Sequence, residues 1–415
     1  MNRKNIFLWS LYDFANSIAV IVFFLYFSQW LVIDNKVPDI WYNLIFVGST
    51  ILLLLTAPVV GSIADKIGVR LPFLNVATVL MFVFLLGSSL FATFAPGTTF
   101  FVALAAILFL FSNYFYQFCF TFYNAFLHDL APAKLTGFVS GLGQSSNWLG
   151  QITGLLITLP LATGAIYLAG HAGRAQTFLP AILAFFLLAL PMMLFFKEKR
   201  KPEKVSIDLG GEYKNSLRDF ISLCKLPGMG RYLLGYFFFN DALLTASNNF
   251  PIFMEQVFKV SDSVKSTLLL GILATSAIGA LITGWISDKV GLKKSLIIIL
   301  ATWLVILPAL SVITNFTYFV IVAVIMGFFY GATWTVTRAV MSYLTPKNRL
   351  NNAFSYYTMA ERFSTFLGPV VWGLVTLLLV NAGAFRYRIA ALSMTIFILI
   401  GLIIIRKIPS HTKNI

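Results

Sequence analysis

The sequence predicts an all-α membrane protein with twelve transmembrane helices in two six-helix pseudo-repeats. Three observations lead there. Of 415 residues, 59% are hydrophobic and 11% charged, and the mean hydropathy is +0.86, which excludes an ordinary soluble domain. Apolar stretches near the roughly 20 residues that a helix needs to cross hydrocarbon follow one another along the whole chain. One short sequence also occurs twice, 223 residues apart: Gly61-Ser-Ile-Ala-Asp65-Lys-Ile-Gly68-Val-Arg70 returns as Gly284-Trp-Ile-Ser-Asp288-Lys-Val-Gly291-Leu-Lys293.

The first six spans are expected at about residues 6–33, 41–64, 72–94, 99–128, 138–163 and 177–196. The second six are expected at about 230–258, 265–287, 295–314, 317–344, 352–379 and 385–406. The chain therefore divides into an N-terminal bundle (1–196), a polar linker (197–229) and a C-terminal bundle (230–415). The 42 Phe residues suit a lipid-facing exterior, and Trp9, Trp30, Trp41 and Tyr42 stand near span ends as interfacial anchors do. The first stretch is longer than a signal-peptide core and contains Asp13, so it reads as an uncleaved first span. Cys119 and Cys224 make no disulfide framework and read as free thiols.

The net charge of +15 is sorted by loop, which is a topology signal rather than a nucleic-acid one. One set of loops and both termini hold 23 Lys and Arg residues. The opposite loops hold six: Lys36, Arg174, Lys259, Lys265, Arg386 and Arg388. The bias puts both termini and the linker in the cytoplasm, in the cell's inner (plasma) membrane. The linker opens with the basic cluster Lys197-Glu-Lys-Arg-Lys201, suited to anionic lipid headgroups. Tyr213, Leu217, Phe220, Ile221 and Cys224 then fall on one face of a short amphipathic surface helix.

In the duplicated motif, Gly61, Gly68, Gly284 and Gly291 allow tight turns or close approach. Asp65 and Asp288 can face a helix N-terminus. Arg70 and Lys293 can bridge to neighbouring helix ends or lipid phosphates. Such contacts would latch and release a cytoplasmic gate, and the shared spacing in both halves argues against two ordinary basic loops.

Four charged residues lie at membrane depth: Asp13 in span 1, Asp241 in span 7, and Glu361 with Arg362 in span 11. Each is roughly 10–17 Å along its helix from the cytoplasmic start, at 1.5 Å per residue. Such residues are costly and usually face a bundle interior or a water-filled path. Asp13 and Asp241 hold corresponding positions in the two halves, with Asn16 and Asn248 as amide neighbours. Three acids against one arginine leave carboxylates that must be protonated, hydrated or matched by a cation. That fits proton coupling or an ammonium-bearing substrate. The alternative is that Asp13 and Asp241 brace helix contacts, and Glu361 with Arg362 reads as a structural or gating pair.

Span 4 carries Asn113, Gln117, Thr121, Asn124 and His128 along one face, read as cavity lining. Span 5 carries Gln144, Asn147 and Gln151, with Gly150 and Gly154 permitting close packing. Tyr330, Trp334 and Thr337 in span 10 and Tyr357 in span 11 could enclose a small substrate, or pack an interface. His128, Asp129 and Arg338 are placed for cytoplasmic gating or interfacial snorkelling. There is no HExxH or GxxxxGK sequence, and His128, His171 and His411 are too scattered for a metal site. Neither an enzyme nor a cofactor is expected.

Trp9-Ser-Leu-Tyr12-Asp13-Phe14-Ala15-Asn16-Ser17 resembles the opening signature of the "unknown major facilitator" family. Tyr123-Asn124-Ala-Phe-Leu, Val139-Ser140-Gly141-Leu-Gly143, Phe239-Asn240-Asp241 and Phe366-Leu367-Gly368-Pro369 match further, in the same order. That bacterial group is related to the fungal vacuolar amino-acid effluxers of autophagy. The chain departs from it at Ala242, where glycine is usual, and at Trp334 and Thr337-Arg338, where Gln precedes Ser-Arg. It also departs at His128, where proline is common. The span 4 arginine and span 5 Gly-Pro signature of drug exporters are absent. The resemblance implies a twelve-helix major facilitator fold and efflux or exchange of amino acids or similar solutes.

The expected protein is thus a monomeric secondary transporter of a small-molecule substrate, working by alternating access, with protons and membrane lipids as further partners and no nucleic acid. Asp13 and Asp241 are candidates for the substrate amine or the proton, and Asn16, Asn113, Gln117 and Asn248 for polar contacts. Trp334, Tyr357, Glu361 and Arg362 complete the candidate site. The alternatives are a lipid or lysolipid translocator and a non-transporting receptor or scaffold.

Overall fold

Hydrocarbon offers no water to backbone N–H and C=O groups, so each spanning segment must satisfy its own, and helices do this. The computed structural model describes residues 3–95, 97–126, 130, 136–198, 211, 218, 220–345, 357, 360–361 and 364–408, and contains no β-strand among them. The helices of the first half are α1 Arg3–Val22, α2 Asp39–Ile67, α3 Leu71–Phe94, α4 Thr99–Tyr123, α5 Thr136–Ala162 and α6 Phe178–Phe195. Those of the second half are α7 Met229–Phe258, α8 Asp262–Val290, α9 Leu292–Val312, α10 Phe316–Leu344, α11 Leu367–Leu378 and α12 Phe385–Arg406. Each falls on one expected span. Nine spans among the described residues are long and apolar enough to cross a membrane. Of the other helices, α7 carries Arg231, Asp241 and Glu255, α5 carries the amide stripe, and α11 is short.

Span 11 corrects the sequence expectation of one helix over 352–379. Tyr357, Ala360 and Glu361 are helical, Ser364–Phe366 form a turn, and α11 restarts at Leu367. Pro369 suits the restart, since in the first turn of a new helix its missing N–H costs nothing, but it does not dictate it: Pro160, Pro191, Pro251 and Pro308 lie inside continuous helices. Span 1 deviates differently. Beyond Val22 it continues through π-helical segments at Phe23–Phe27 and Trp30–Asp34. The wider turns bring Phe23, Phe27 and Trp30 against Phe109 of α4 and Phe178 of α6, with Phe27 and Phe109 centroids 4.2 Å apart.

The chain forms two compact units: Met1–Val37 with Gly48–Lys214, and Pro38–Val47 with Asn215–Ile415. The start of α2 thus belongs with the second unit. In the first unit α1 packs on α5 and α6, and α3 on α4; in the second, α8 packs on α10, and α7 and α9 on α12. Small residues let these backbones approach. A Cβ on Gly150 of α5 would strike the Phe14 carbonyl of α1, and one on Gly331 of α10 the Ser276 carbonyl of α8. Ser276 Oγ donates to the Gly327 carbonyl at 2.8 Å across the same seam.

Both copies of the duplicated motif place a positive-φ glycine at the end of a helix, although the next helix starts at Leu71 in the first and directly at Leu292 in the second. Gly68 ends α2 at φ +81° and Gly291 ends α8 at φ +96°, and their N–H groups close the last turns onto Ala64 and Ser287. Only glycine takes that conformation cheaply. The Asp65 and Asp288 side chains lie outside the described residues. The N-terminus of α3 is capped instead by Glu198, which accepts from the N–H of Arg70 at 2.8 Å and of Leu71 at 3.0 Å. Lys293 Nζ donates to the Ile408 carbonyl at 2.5 Å, joining the start of α9 to the end of α12. Of the expected linker helix, Tyr213 and Leu217 lie outside the described residues. Residues 220–224 are helical; Phe220 and Ile221 are exposed, and Leu223 is buried. Cys119 and Cys224 are free thiols, and burial raises the pKa of Cys224.

Overpacking a close helix contact costs about 1–3 kcal/mol. Gly150→Leu and Gly331→Leu are therefore expected to lower the thermal midpoint of the solubilised protein. Gly97→Ala, where an added Cβ meets nothing within 4 Å, leaves it unchanged. Fluorescence-detected unfolding of the three variants checks this.

Candidate functional site

In the first unit the Trp9–Ser17 stretch of α1 distributes its side chains among three neighbouring helices. Trp9 stacks on Tyr123 of α4 with centroids 4.7 Å apart. Trp9 Nε1 donates to the Tyr123 carbonyl at 3.1 Å, and the Tyr123 hydroxyl to the Trp9 carbonyl at 3.3 Å. The Tyr12 hydroxyl bonds Thr78 of α3 at 2.7 Å. Asp13 turns toward α5. Asn147 Nδ2 donates to its carboxylate at 3.1 Å, and Gln151 Nε2 donates to Asn147 Oδ1 at 2.7 Å. This is a directed chain of amides ending on a buried acid. Asn16, one turn further out, is 1% exposed, and neither of its side-chain polar atoms has a partner among the described residues. Such a group is expensive in a dry interior and is suited to water or a solute.

The span 4 stripe is only partly free. Asn113 and Gln117 both donate to Ser49 Oγ of α2, at 2.7 and 3.0 Å, and the Tyr114 hydroxyl bonds Thr56 at 2.8 Å. These bonds join α4 to α2. Gln117 Oε1 keeps no partner among the described residues, and Asn124 is exposed. His128 and Asp129 lie outside the described residues.

In the second unit Asp241 is fully buried. Its Oδ2 accepts from the Gly368 N–H at 2.6 Å, and the carboxylate also faces the N–H groups of Phe366 and Leu367. The acid on α7 thus caps the helix restarted by the break in span 11, since Phe366 has no side-chain acceptor of its own. Gly368 is required there, because a Cβ would meet Thr245 Oγ1 and Asp241 Oδ1. Asn240 Nδ2 bonds both Ser364 Oγ and, at 3.3 Å, the Glu361 carbonyl. Ser364 Oγ itself donates to that carbonyl at 2.7 Å. The Asn-Asp pair of α7 therefore holds both sides of the break.

Glu361 is half-buried, with the hydroxyls of Tyr232, Tyr236, Tyr330 and Tyr357 within electrostatic reach. The Tyr357 hydroxyl donates to Thr337 Oγ1 at 3.1 Å, and its ring lies 4.7 Å from that of Tyr236. Tyr330 meets Trp334 edge-on at 6.1 Å. Arg338 is exposed, and Arg362 lies outside the described residues. Asn248 is half-buried, and its carbonyl accepts from the Tyr42 hydroxyl at 3.3 Å.

Several polar groups escaped the sequence reading. Asn249, beside Asn248, exchanges two amide hydrogen bonds with Asn43 of the α2 start, at 3.1 and 2.9 Å. Next to them the Tyr387 hydroxyl donates to Asp39 at 3.0 Å, and Arg386 donates to Tyr387 at 2.9 Å. Lys265, counted above as a loop cation, has a fully buried side chain that pairs with Glu255 and, at 2.6 Å, with Asp262. The i,i+3 spacing of Asp262 and Lys265 was the available signal for that pair. The amide pair had none, because its members lie 206 residues apart.

A family profile described as Major Facilitator Superfamily matches residues 9–275 and 232–414, and the chain belongs to that superfamily. It is an integral, multi-pass membrane transporter and not an enzyme. An uncharacterized MFS-type transporter, YxiO of Bacillus subtilis, is 22% identical over 98% of this chain and 95% of its own. Autophagy-related protein 22 of Kluyveromyces lactis is 26% identical over 35% of this chain and 32% of its own. A solved bacterial homolog of the human lysosomal transporter Spinster, inward-facing and unoccupied, has the same fold, with a TM-score of 0.75 at 13% identity. That match covers 98% of this chain and 97% of the other.

Losing a helix cap costs about 0.5–2 kcal/mol. Asp241→Ala is expected to destabilise the protein by that order, and Asp241→Asn, which keeps an acceptor oxygen, by less. The ranking is read from thermal midpoints in one detergent.

Proposed function

We propose that the protein is a secondary transporter that moves a small solute, an amino acid or similar metabolite, by efflux or exchange through alternating access, with proton movement at Asp13 and Asp241. One observation carries the proposal. The two acids occupy corresponding helices, α1 and α7, and each binds the fifth helix of its own half, α5 or the restarted α11. A carboxylate whose partner is a neighbouring helix links its charge state to the packing of that helix. Protonation weakens the acceptor at Asn147 or at the Gly368 N–H, so loading a proton biases the position of α5 or α11. The unpartnered amide of Asn16 and carbonyl of Gln117 supply polar contacts for the solute.

The remaining assignments belong to the same proposal. The two bundles, 1–196 and 230–415, lie in the cell's inner (plasma) membrane, with both termini and the 197–229 linker cytoplasmic, as the distribution of Lys and Arg supports. The two motif copies, Gly61 to Arg70 and Gly284 to Lys293, act as cytoplasmic gates. The matched left-handed glycines Gly68 and Gly291 support this.

Uptake of a labelled amino-acid mixture by proteoliposomes, with and without an imposed pH gradient, tests the reading. Flux that rises with the gradient in the parent protein, and loses that dependence in Asp13→Asn and Asp241→Asn, is expected. Full gradient-dependent flux in both variants would sink the role given to the acids.

A further inference from the structure

We infer that Glu361 and the aromatic rings around it form a receptor for the ammonium group of the transported solute; this rests on the transporter reading above and names the substrate class for it. Three acids stand at membrane depth. Asp13 takes the Asn147 amide, and Asp241 is committed to the N-terminus of α11. Glu361 is placed otherwise. Its carbonyl is held by Asn240 and Ser364, which fixes its backbone beside the break.

The surroundings fit the same ligand. Tyr236 and Tyr357 lie ring against ring and are buried, while Tyr330 and Trp334 meet edge-on and are half-buried, as is Glu361. Aromatic faces attract an ammonium group through their quadrupoles, and a nearby carboxylate supplies the opposite charge. The half-buried members, Glu361, Tyr330 and Trp334, are the ones able to meet a solute. Buried Tyr236 and Tyr357 set the wall behind them, with the Tyr357 hydroxyl anchored on Thr337. A neutral solute gains little from such a wall, and the Arg338 guanidinium within electrostatic reach of Tyr357 leaves room for a carboxylate on the same solute.

Equilibrium binding to the full chain in lipid nanodiscs tests this with four probes of one skeleton. Isoamylammonium and L-leucine methyl ester carry only the ammonium group, L-leucine carries both charges, and N-acetyl-L-leucine carries only the carboxylate. Saturable binding of the ammonium probes and not of N-acetyl-L-leucine is expected. Glu361→Gln should weaken the ammonium probes by about tenfold or more, Trp334→Leu several-fold, and Glu361→Asp should restore part of the loss. Ammonium probes that fail to bind, that bind Glu361→Gln unchanged, or that bind no better than N-acetyl-L-leucine overturn the inference. Binding is read without transport. Ammonium binding without flux would defeat the proposed function and leave the receptor standing, and flux with no ammonium preference would do the reverse.

Discussion

In hydrocarbon no polar group can fall back on water, and much of this structure follows from that constraint. Helices satisfy the backbone, and buried polar side chains need partners or pay a large desolvation penalty. Serine and threonine hydroxyls often bond a carbonyl one turn back in their own helix, as Thr78 does with Leu74 and Ser311 with Leu307. Others bond across helices: Asn147 to Asp13, Asn113 and Gln117 to Ser49, Trp303 to Thr333, and Ser276 to Gly327. Glycines on α5 and α10 bring the backbones near enough for such bonds. A polar group that remains unpartnered in this setting, such as Asn16, stands out for the same reason.

The broken span 11 shows how a helix break organises a site. The chain restarts at Leu367 and leaves N–H groups of the new first turn without intrahelical acceptors. Asp241 supplies one from α7, and Gly368 makes room for it. On the other side of the break Asn240 and Ser364 hold the Glu361 carbonyl. Discontinuous helices of this kind place helix termini at the depth where transporters bind solutes and ions. Here the positive terminus of the restarted helix already holds an internal acid, Asp241.

The start of α2 adds a different constraint. Asp39, Tyr42 and Asn43 are tied to Tyr387, Asn248 and Asn249, and Gly373 packs closely on Ile40. The amide pair is buried and reciprocal, a geometry that discriminates sharply between formed and broken. Lys265 and its two acids act at the joint between α7 and α8 in a related way: removing either sign would leave a buried charge unmatched.

The twelve spans and the repeat were legible in the sequence because transfer into hydrocarbon is a local property, summed over about 20 consecutive residues. The placement of Asp13, Asp241 and Glu361 within apolar segments was legible for a related reason, since a charge at that depth is costly whatever surrounds it. Their roles were not. The partners of Asp13 and Asp241 lie 134 and 127 residues away, and Asp39 meets Tyr387 across 348. No periodicity encodes such pairs, because they depend on which helices pack together and in what register. Hydropathy determined the spans, and packing between helices decided which acids brace their neighbours and where the break in span 11 sets a carboxylate among tyrosines.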